Sequence, residues 1–271
     1  MGVVPLVWSA LRIAGVTLGA LAVVPMAVNA AAYALAARAR RRWGHSCPDD
    51  EGTPWSSRVH GFAVECAAAW PLLGVPVSAW RRPAPGPSTR PVIVLHTRGA
   101  PAGRLLRRLL SAGFDPWPVG CSRLLGGIET NATQLAHAID RIRATRGVAR
   151  VDVVAHGLGG LVARAYLRRP GAAGTVGRVV TLGTPHGGPV ARDWADLADG
   201  EPLPPHVELV SIFSSEDAFV VPPSRAYHPD AFNVEMAGVG HLSLLVSARV
   251  FELVRENLAS DDAVAPARSH A

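Results

Sequence analysis

The sequence predicts an α/β fold, with a mostly parallel sheet covered by helices on both faces and a transmembrane helix preceding it. Between residues 91 and 259, short apolar runs of strand length alternate with helical stretches. Residues 13–37 form an almost unbroken apolar stretch. Of the 271 residues, 49% are hydrophobic and 18% are charged. This composition excludes a largely disordered or fibrous chain and allows a sizeable core.

Charge and cysteine usage exclude several classes of function. The chain has 27 basic residues against 21 acidic ones, and every basic residue is an arginine. These arginines are scattered and are not interleaved with aromatic residues, so we expect no nucleic-acid partner. Cys47, Cys66 and Cys121 lack metal-ligand spacing and are too few for a disulfide framework. We therefore expect no metal and three thiols that are buried or free. The alternative is one bridge, between Cys47 and Cys66, in an oxidising compartment.

The apolar stretch at residues 13–37 is interrupted only by Thr17 and Asn29. It exceeds the roughly 20 helical residues that a bilayer core requires. A secretory signal is the alternative, because small residues around 30–36 resemble a cleavage site. The length of the stretch, and the presence of only Arg12 and the amino terminus as charges before it, favour a retained anchor.

Arginines 38, 40, 41 and 42 follow the apolar stretch at once. An excess of cations beside a span marks the cytoplasmic side of a membrane. The pattern predicts a single-pass anchor with a basic flank at residues 1–42 and places the remaining chain in the cytoplasm. Export of the remaining chain is the alternative.

The rest of the chain divides into three parts. Residues 43–90 are predicted to be irregular and to end in a linker, since residues 82–91 are dense in proline and glycine. Residues 91–259 should form the folded α/β domain. Residues 260–271 form a polar tail that we expect to be disordered.

Strands and helices alternate within the folded domain. Residues 130 or 131 are expected to cap the second helix. The predicted helices cover 103–112, 131–145, 158–169 and an amphipathic closing stretch at 243–258. The predicted strands cover 92–96, 117–119, 151–155, 178–182, 207–213 and 232–237.

The most informative stretch is VDVVAHGLGGLVARAYL at residues 151–167, in which a buried strand turns abruptly into a helix through AHGLGG. Strand, turn and helix in this order form the setting of the G-x-S-x-G nucleophile turn, whose middle residue points out of the sheet on a strained backbone. In a working enzyme the middle residue is serine. In this chain it is Gly157.

With this turn, four further segments resemble the α/β-hydrolase superfamily, in particular the minimal bacterial lipases and esterases that include the phosphatidylinositol-glycan deacylase-like group. They are PVIVLH at 91–96, VVTLGTPHGG at 179–188, SIFSSEDAFVVPP at 211–223 and GHLSLLVSARVFELVRENL at 240–258. The resemblance spans residues 91–259 and implies the α/β-hydrolase fold. It also implies that Asp217 is the acid and His241 the base of a triad, in the chain order that this fold uses.

The same resemblance assigns the surroundings of the triad. It implies that His96, Thr97 and Leu158 form the oxyanion region and that His156 and His186 are structural residues beside the ligand pocket. The family typically has His-Gly where this chain has His96 and Thr97. A β-branched residue restricts backbone geometry that a glycine would permit, so we expect an imperfect oxyanion hole.

Because glycine offers no attacking atom, Gly157 cannot form an acyl-enzyme. The sequence therefore predicts a membrane-anchored, lipase- or esterase-like homologue of impaired catalysis, without a cofactor, that binds a lipid or ester-like small molecule or a partner. The alternative is an active carboxylic-ester hydrolase that uses Cys121, Ser122 or a water activated by Asp217 and His241. A third interpretation is a tethered interaction module.

Two simpler interpretations concern the triad residues themselves. Asp217 could be only a turn residue, and His241 could be only a residue at a helix start. A metal site formed by His156, His186 and Asp217 is not expected. The oligomeric state is left open by the sequence.

Overall fold

The computed structural model describes residues 90–97, 100, 102–121, 127–187, 202–205, 207–220 and 222–259. The anchor predicted at 1–42, most of the segment at 43–90 and the tail at 260–271 lie outside these ranges. Within them, no helix combines the length and the apolar character needed to cross a bilayer.

The described residues form one six-stranded sheet, in which neighbouring strands are all parallel. The strand order is β2-β1-β3-β4-β5-β6. β1, β3 and β4 are apolar because both faces of these central strands are buried. The strands are β1 Pro91–Thr97, β2 Asp115–Cys121, β3 Val151–His156, β4 Val176–Leu182, β5 Glu208–Ser214 and β6 Phe232–Met236.

Four helices cover the two faces of the sheet: α1 Gly103–Ser111, α2 Ile128–Arg146, α3 Leu158–Leu167 and α4 Ala248–Ala259. α1 and α4 share one buried cluster with Val92 and Val94 of β1. α2 and α3 share the other cluster with Ile93 and Leu95, the alternate residues of the same strand. This two-residue alternation places a helical layer on each face and confirms the predicted architecture.

Three predicted elements differ in detail. α2 begins at Ile128 with Gly127 as its cap, so the prediction of a cap at residue 130 or 131 is wrong. Asn131 lies inside the first turn, where its Nδ2 donates to the Gly127 carbonyl at 3.0 Å. β2 extends beyond the predicted 117–119 although it contains Pro116 and Pro118. Proline is tolerated there because β2 is an edge strand.

The predicted closing helix at 243–258 is divided into a 3-10 turn at Leu242–Leu245 and the helix α4. The break falls at Val246 and Ser247. The carbonyl of Val246 accepts a hydrogen bond from Nη1 of Arg108 at 2.7 Å. The Val246 carbonyl therefore bonds to a side chain of α1, whereas in a continuous helix it would accept a backbone N–H from the next turn.

Because all the strands are parallel, their carboxyl ends meet at one edge of the sheet. β3 leads there into Gly157, β5 into the loop that contains Asp217, and β6 into the loop that contains His241. Crevices outside the carboxyl ends of parallel strands are the usual sites of ligand binding in α/β proteins.

Candidate active site

Gly157 occupies a tight turn between β3 and α3, with φ 56° and ψ −125°. Its N–H donates to the Leu182 carbonyl at 2.9 Å, and Oγ1 of Thr184 donates to the Gly157 carbonyl at 2.8 Å. These bonds hold the turn against the end of β4. A residue with a side chain would be strained at this positive φ, whereas glycine adopts it readily.

The two glycines that follow allow α3 to start close to the sheet. A Cβ at Gly159 would lie 2.8 Å from the carbonyl oxygen of Leu95, and a Cβ at Gly160 would overlap the side chain of Thr184. Side chains at either position would push the helix away from β1 and from the loop after β4. The AHGLGG pattern is thereby explained by packing around the turn.

Asp217 and His241 meet at this edge of the sheet. Nδ1 of His241 lies 2.7 Å from Oδ2 of Asp217, and the two side chains are 11% and 1% exposed. The other carboxylate oxygen, Oδ1 of Asp217, accepts the N–H groups of Phe219 at 2.7 Å and Val220 at 2.9 Å. With Nδ1 as the donor, the neutral imidazole presents Nε2 as a proton acceptor.

The ring of His241 faces Gly157. A Cβ built on Gly157 would lie 3.1 Å from Nε2 and 3.4 Å from Cε1 of His241. His241 also immediately precedes the 3-10 turn Leu242–Leu245. The interpretation of His241 as a residue at a helix start thus describes its backbone, while its side chain belongs to the pair with Asp217.

His156 and Phe219 contact the imidazole of His241. Nε2 of His156 lies 2.9 Å from the His241 carbonyl, and the two ring centroids are 4.5 Å apart. The Phe219 ring centroid lies 5.0 Å from that of His241. Sequence reasoning missed Phe219, although its position two residues after Asp217 was an available signal. These contacts restrict the orientation of the His241 ring.

Gly183, at the end of β4, is a further residue that sequence reasoning missed. It has φ 57°, and a Cβ there would lie 2.9 Å from Oδ2 of Asp217 and 3.0 Å from Nδ1 of His241. No side chain fits at this position while the hydrogen bond of the pair is kept. The glycine in LGTPHGG was the signal that could have found it.

The predicted oxyanion region is described in part. Thr97 ends β1 in register with Cys121, so its β-branched side chain suits the strand backbone. Leu158 is the first residue of α3, where backbone N–H groups have no partner within the helix. His96 is buried, and burial lowers its pKa below 6.5, although its contact with the Thr97 carbonyl opposes this. Residues 98 and 99 lie outside the described ranges.

Of the remaining predicted residues, the structure describes His186 and Cys121. His186 contacts Thr181 through Nε2 at 3.0 Å, and its carbonyl accepts Nη1 of Arg164 at 2.9 Å. Cys121 is buried at the end of the edge strand β2, and Ser122 lies outside the described ranges. Over the described ranges, no group of three or more His, Cys, Asp or Glu side chains could hold a metal ion.

Comparison with solved structures identifies this architecture. Bacillus licheniformis lipase in its mature form is 17% identical with a TM-score of 0.55, and the match covers 66% of this chain and 96% of that one. Aspergillus fumigatus lipase B is 21% identical with a TM-score of 0.55, over 67% of this chain and 56% of that one. The chain has the α/β-hydrolase fold. The resemblance drawn from the sequence motifs is thereby confirmed.

The family described as the PGAP1-like alpha/beta domain matches residues 126–198 of this α/β-hydrolase-fold chain. The matched range contains the turn at Gly157 and the end of β4 with Gly183. The family match thus falls on the part of the fold that holds the turn and one wall of the Asp217–His241 pair.

Proposed function

We propose that this protein is a membrane-anchored, lipase- or esterase-like homologue that binds a lipid or ester-like molecule beside Gly157 and forms no acyl-enzyme. One observation carries the proposal. The backbone at Gly157, with φ 56° and ψ −125°, keeps the nucleophile turn, and Nε2 of His241 faces it, yet the residue has no side chain. An acyl-enzyme requires a nucleophilic oxygen or sulfur at that point.

The groups that remain can still recognise an ester. The start of α3 at Leu158 offers N–H groups and the positive end of the helix dipole to a carbonyl oxygen. Nε2 of His241 can accept a hydrogen bond from a hydroxyl group. The half-buried ring of Phe219, 5.0 Å from that of His241, provides an apolar contact. Together these groups fit an acyl chain with a polar carbonyl.

A second candidate function is hydrolysis by a bound water. The observation that favours it is the intact bond of 2.7 Å between Asp217 and His241. In this route, water oxygen would bond to the ester carbonyl carbon while one of its protons passes to Nε2 of His241. Collapse of the tetrahedral adduct would break the ester C–O bond, and the leaving alkoxide would take that proton.

Membrane attachment is the remaining part of the proposal. It rests on the apolar stretch at residues 13–37 and on the four arginines that follow it. After lysis without detergent, we expect the full-length chain in the membrane fraction. It should stay in that fraction after an alkaline carbonate wash. Recovery in the soluble fraction would overturn this part.

The test of the proposed function compares the full-length wild-type protein with His241→Ala. Neither should hydrolyse short p-nitrophenyl esters above background or be labelled by a serine-directed phosphonate. Wild-type esterase activity that disappears in His241→Ala, without phosphonate labelling, would favour the water route. Stabilisation of the wild type by a non-hydrolysable ester analogue separates a ligand-binding protein from an interaction module.

A further inference from the structure

A second pair of histidines lies outside the Asp217–His241 pair. His186 follows β4 and is 2% exposed, and His228 follows the 3-10 turn Pro223–Ala226 and is 1% exposed. Their ring centroids are 5.3 Å apart and their planes are nearly perpendicular. Nδ1 of His186 and Nε2 of His228 are buried, and neither has a hydrogen-bond partner among the described residues.

The surroundings of His186 fix its proton on Nε2. That nitrogen lies 3.0 Å from Oγ1 of Thr181, and the same hydroxyl lies 3.2 Å from the Val210 carbonyl. A carbonyl can only accept, so the one hydroxyl hydrogen of Thr181 satisfies Val210. Both contacts are then hydrogen bonds only if Nε2–H of His186 donates to Thr181. Nδ1 of His186 is left with a lone pair.

The surroundings of His228 leave Nε2 of this ring as a hydrogen-bond donor. The backbone N–H of Asp230 donates to Nδ1 of His228 at 3.2 Å, so the hydrogen of the neutral ring is on Nε2. Burial, reinforced by the charge of Arg164, lowers the pKa of His228 to about 4 and that of His186 well below 6.5. Both rings are therefore neutral near pH 7.

The buried pair thus offers one acceptor and one donor. A metal cation would need two lone pairs, and it would be repelled by Arg164, whose Nη1 lies 2.9 Å from the His186 carbonyl. An anion would need two donors. A water molecule both donates and accepts, and buried waters in proteins typically bridge polar groups that are otherwise unpartnered. We propose that His186 and His228 form a buried binding site for one water molecule, which accepts from Nε2–H of His228 and donates to Nδ1 of His186.

Such a water would join two loops that support the Asp217–His241 pair. The loop of His186 begins with Gly183, which lies against that pair, and the loop of His228 contains Asp217. The N–H of Gly187 already donates to the Arg225 carbonyl at 2.7 Å between the same loops. The bound water would be a second link, remote from any ligand, and would position the loops rather than take part in chemistry.

Nuclear magnetic resonance on the full-length wild-type protein tests the assignment directly. A long-range ¹H–¹⁵N correlation at pH 7 should show both histidines as the Nε2–H tautomer. The Hε2 proton of His228 should show cross-relaxation with a long-lived water. His186 as the Nδ1–H tautomer, or no water near His228 Hε2, would overturn the proposal.

A mutant cycle provides an independent test. His186→Phe and His228→Phe each replace an imidazole by a ring without nitrogen atoms, and His137→Phe, on the exposed surface of α2, is the matched control. Each single variant should lower the Tm through the loss of the water and of its own contact with Thr181 or Asp230. The double variant should lose less than the sum of the two single losses, because the shared water is lost only once. Additive losses would contradict a shared water.

Ion dependence separates the other possible occupants. Exchanging chloride for gluconate at constant ionic strength, or zinc for a chelator, should leave the wild-type Tm unchanged. A stabilisation by either ion that disappears in His228→Phe would assign the site to that ion and overturn the proposal. If the phenylalanine variants do not fold, the resonance experiment on the wild type still tests whether a water molecule lies between His186 and His228.

Discussion

A Cβ on Gly157 would lie 3.1 Å from Nε2 of His241, closer than carbon and nitrogen atoms usually approach. The imidazole therefore stands partly where the side chain of a nucleophile would begin. A serine at this position requires the ring to move by a few tenths of an ångström. The ring is held by Asp217, His156 and Phe219, so this movement is opposed.

Gly157→Ser should introduce measurable ester hydrolysis and labelling by a serine-directed phosphonate. The gain should be partial, because each missing oxyanion donor costs roughly 10²–10³ in rate. The free energy of unfolding should fall by about 1–3 kcal/mol, since serine is strained at φ 56°. Ester turnover and urea unfolding measure the two effects.

Gly157→Ala is the matched control for this change. Alanine has the same backbone strain and the same Cβ contact with His241 but has no hydroxyl group. It should lose a similar amount of stability and gain no activity or labelling. If the serine and alanine variants are equally inactive, the site beside His241 lacks another group needed for catalysis in addition to the nucleophile.

Adding Thr97→Gly to Gly157→Ser should raise kcat/KM further. Glycine at the end of β1 permits backbone conformations that a β-branched residue disfavours, and we expect this freedom to let the loop present a second oxyanion donor. Glycine in a strand should also reduce stability by roughly 0.5–1 kcal/mol. Steady-state kinetics of the double and single variants measure the gain, and an unchanged or lower kcat/KM would remove Thr97 as the obstacle.

Gly183→Ala should break the hydrogen bond between Asp217 and His241. Its Cβ would lie 2.9 Å from Oδ2 of Asp217 and 3.0 Å from Nδ1 of His241, in addition to the strain of φ 57°. Gly171→Ala is the matched control, because Gly171 has φ 77° and no atom within 4 Å of a built Cβ. The control should cost about 1–3 kcal/mol of backbone strain.

The comparison therefore isolates the contact with the pair. Urea unfolding should show a larger loss for Gly183→Ala than for Gly171→Ala. The downfield Hδ1 resonance of His241 should disappear only in Gly183→Ala. If both variants lose the same stability and Gly183→Ala keeps the Hδ1 resonance of His241, the loop of Gly183 moves aside without disturbing the hydrogen bond between Asp217 and His241.

Stability should decline as the pH falls below 6.5. Burial, with the charge of Arg164, lowers the pKa of His228 to about 4 in the folded state and that of His186 well below 6.5, while the unfolded histidines keep values near 6.5. Below pH 6.5 the unfolded state thus binds protons that the folded state does not. Each such histidine removes about 1.4 kcal/mol per pH unit until its folded pKa is reached.

Urea unfolding of the wild type and of His228→Phe between pH 7 and pH 5 isolates the contribution of His228. The variant should lose less stability over this interval, because one proton-binding group of the unfolded state has been removed. Above pH 6.5 the difference between the two proteins should not depend on pH. An identical pH dependence would show that folding does not lower the pKa of His228.

The alternation of strands and helices was sufficient to predict the parallel α/β architecture, and the resemblance to hydrolase motifs pointed to Asp217 and His241, whose contact only the structure shows. Element ends were less well predicted. The closing helix is divided next to Val246, whose carbonyl accepts Arg108 of α1, and β2 tolerates two prolines because it lies at the sheet edge. Both outcomes depend on neighbours that are remote in sequence.

The sequence by itself determined the parallel α/β architecture and the absence of a nucleophilic atom at Gly157, because periodicity and residue identity are local properties. Only the tertiary structure decided that His241 meets an acid 24 positions away at 2.7 Å, that its ring faces Gly157, and that Gly183 leaves no room for a side chain. The contacts from which we infer the tautomers of His186 and His228 also come only from the tertiary structure. These features depend on which loops the strand order brings together, and distances between loops are not encoded in any single stretch of sequence.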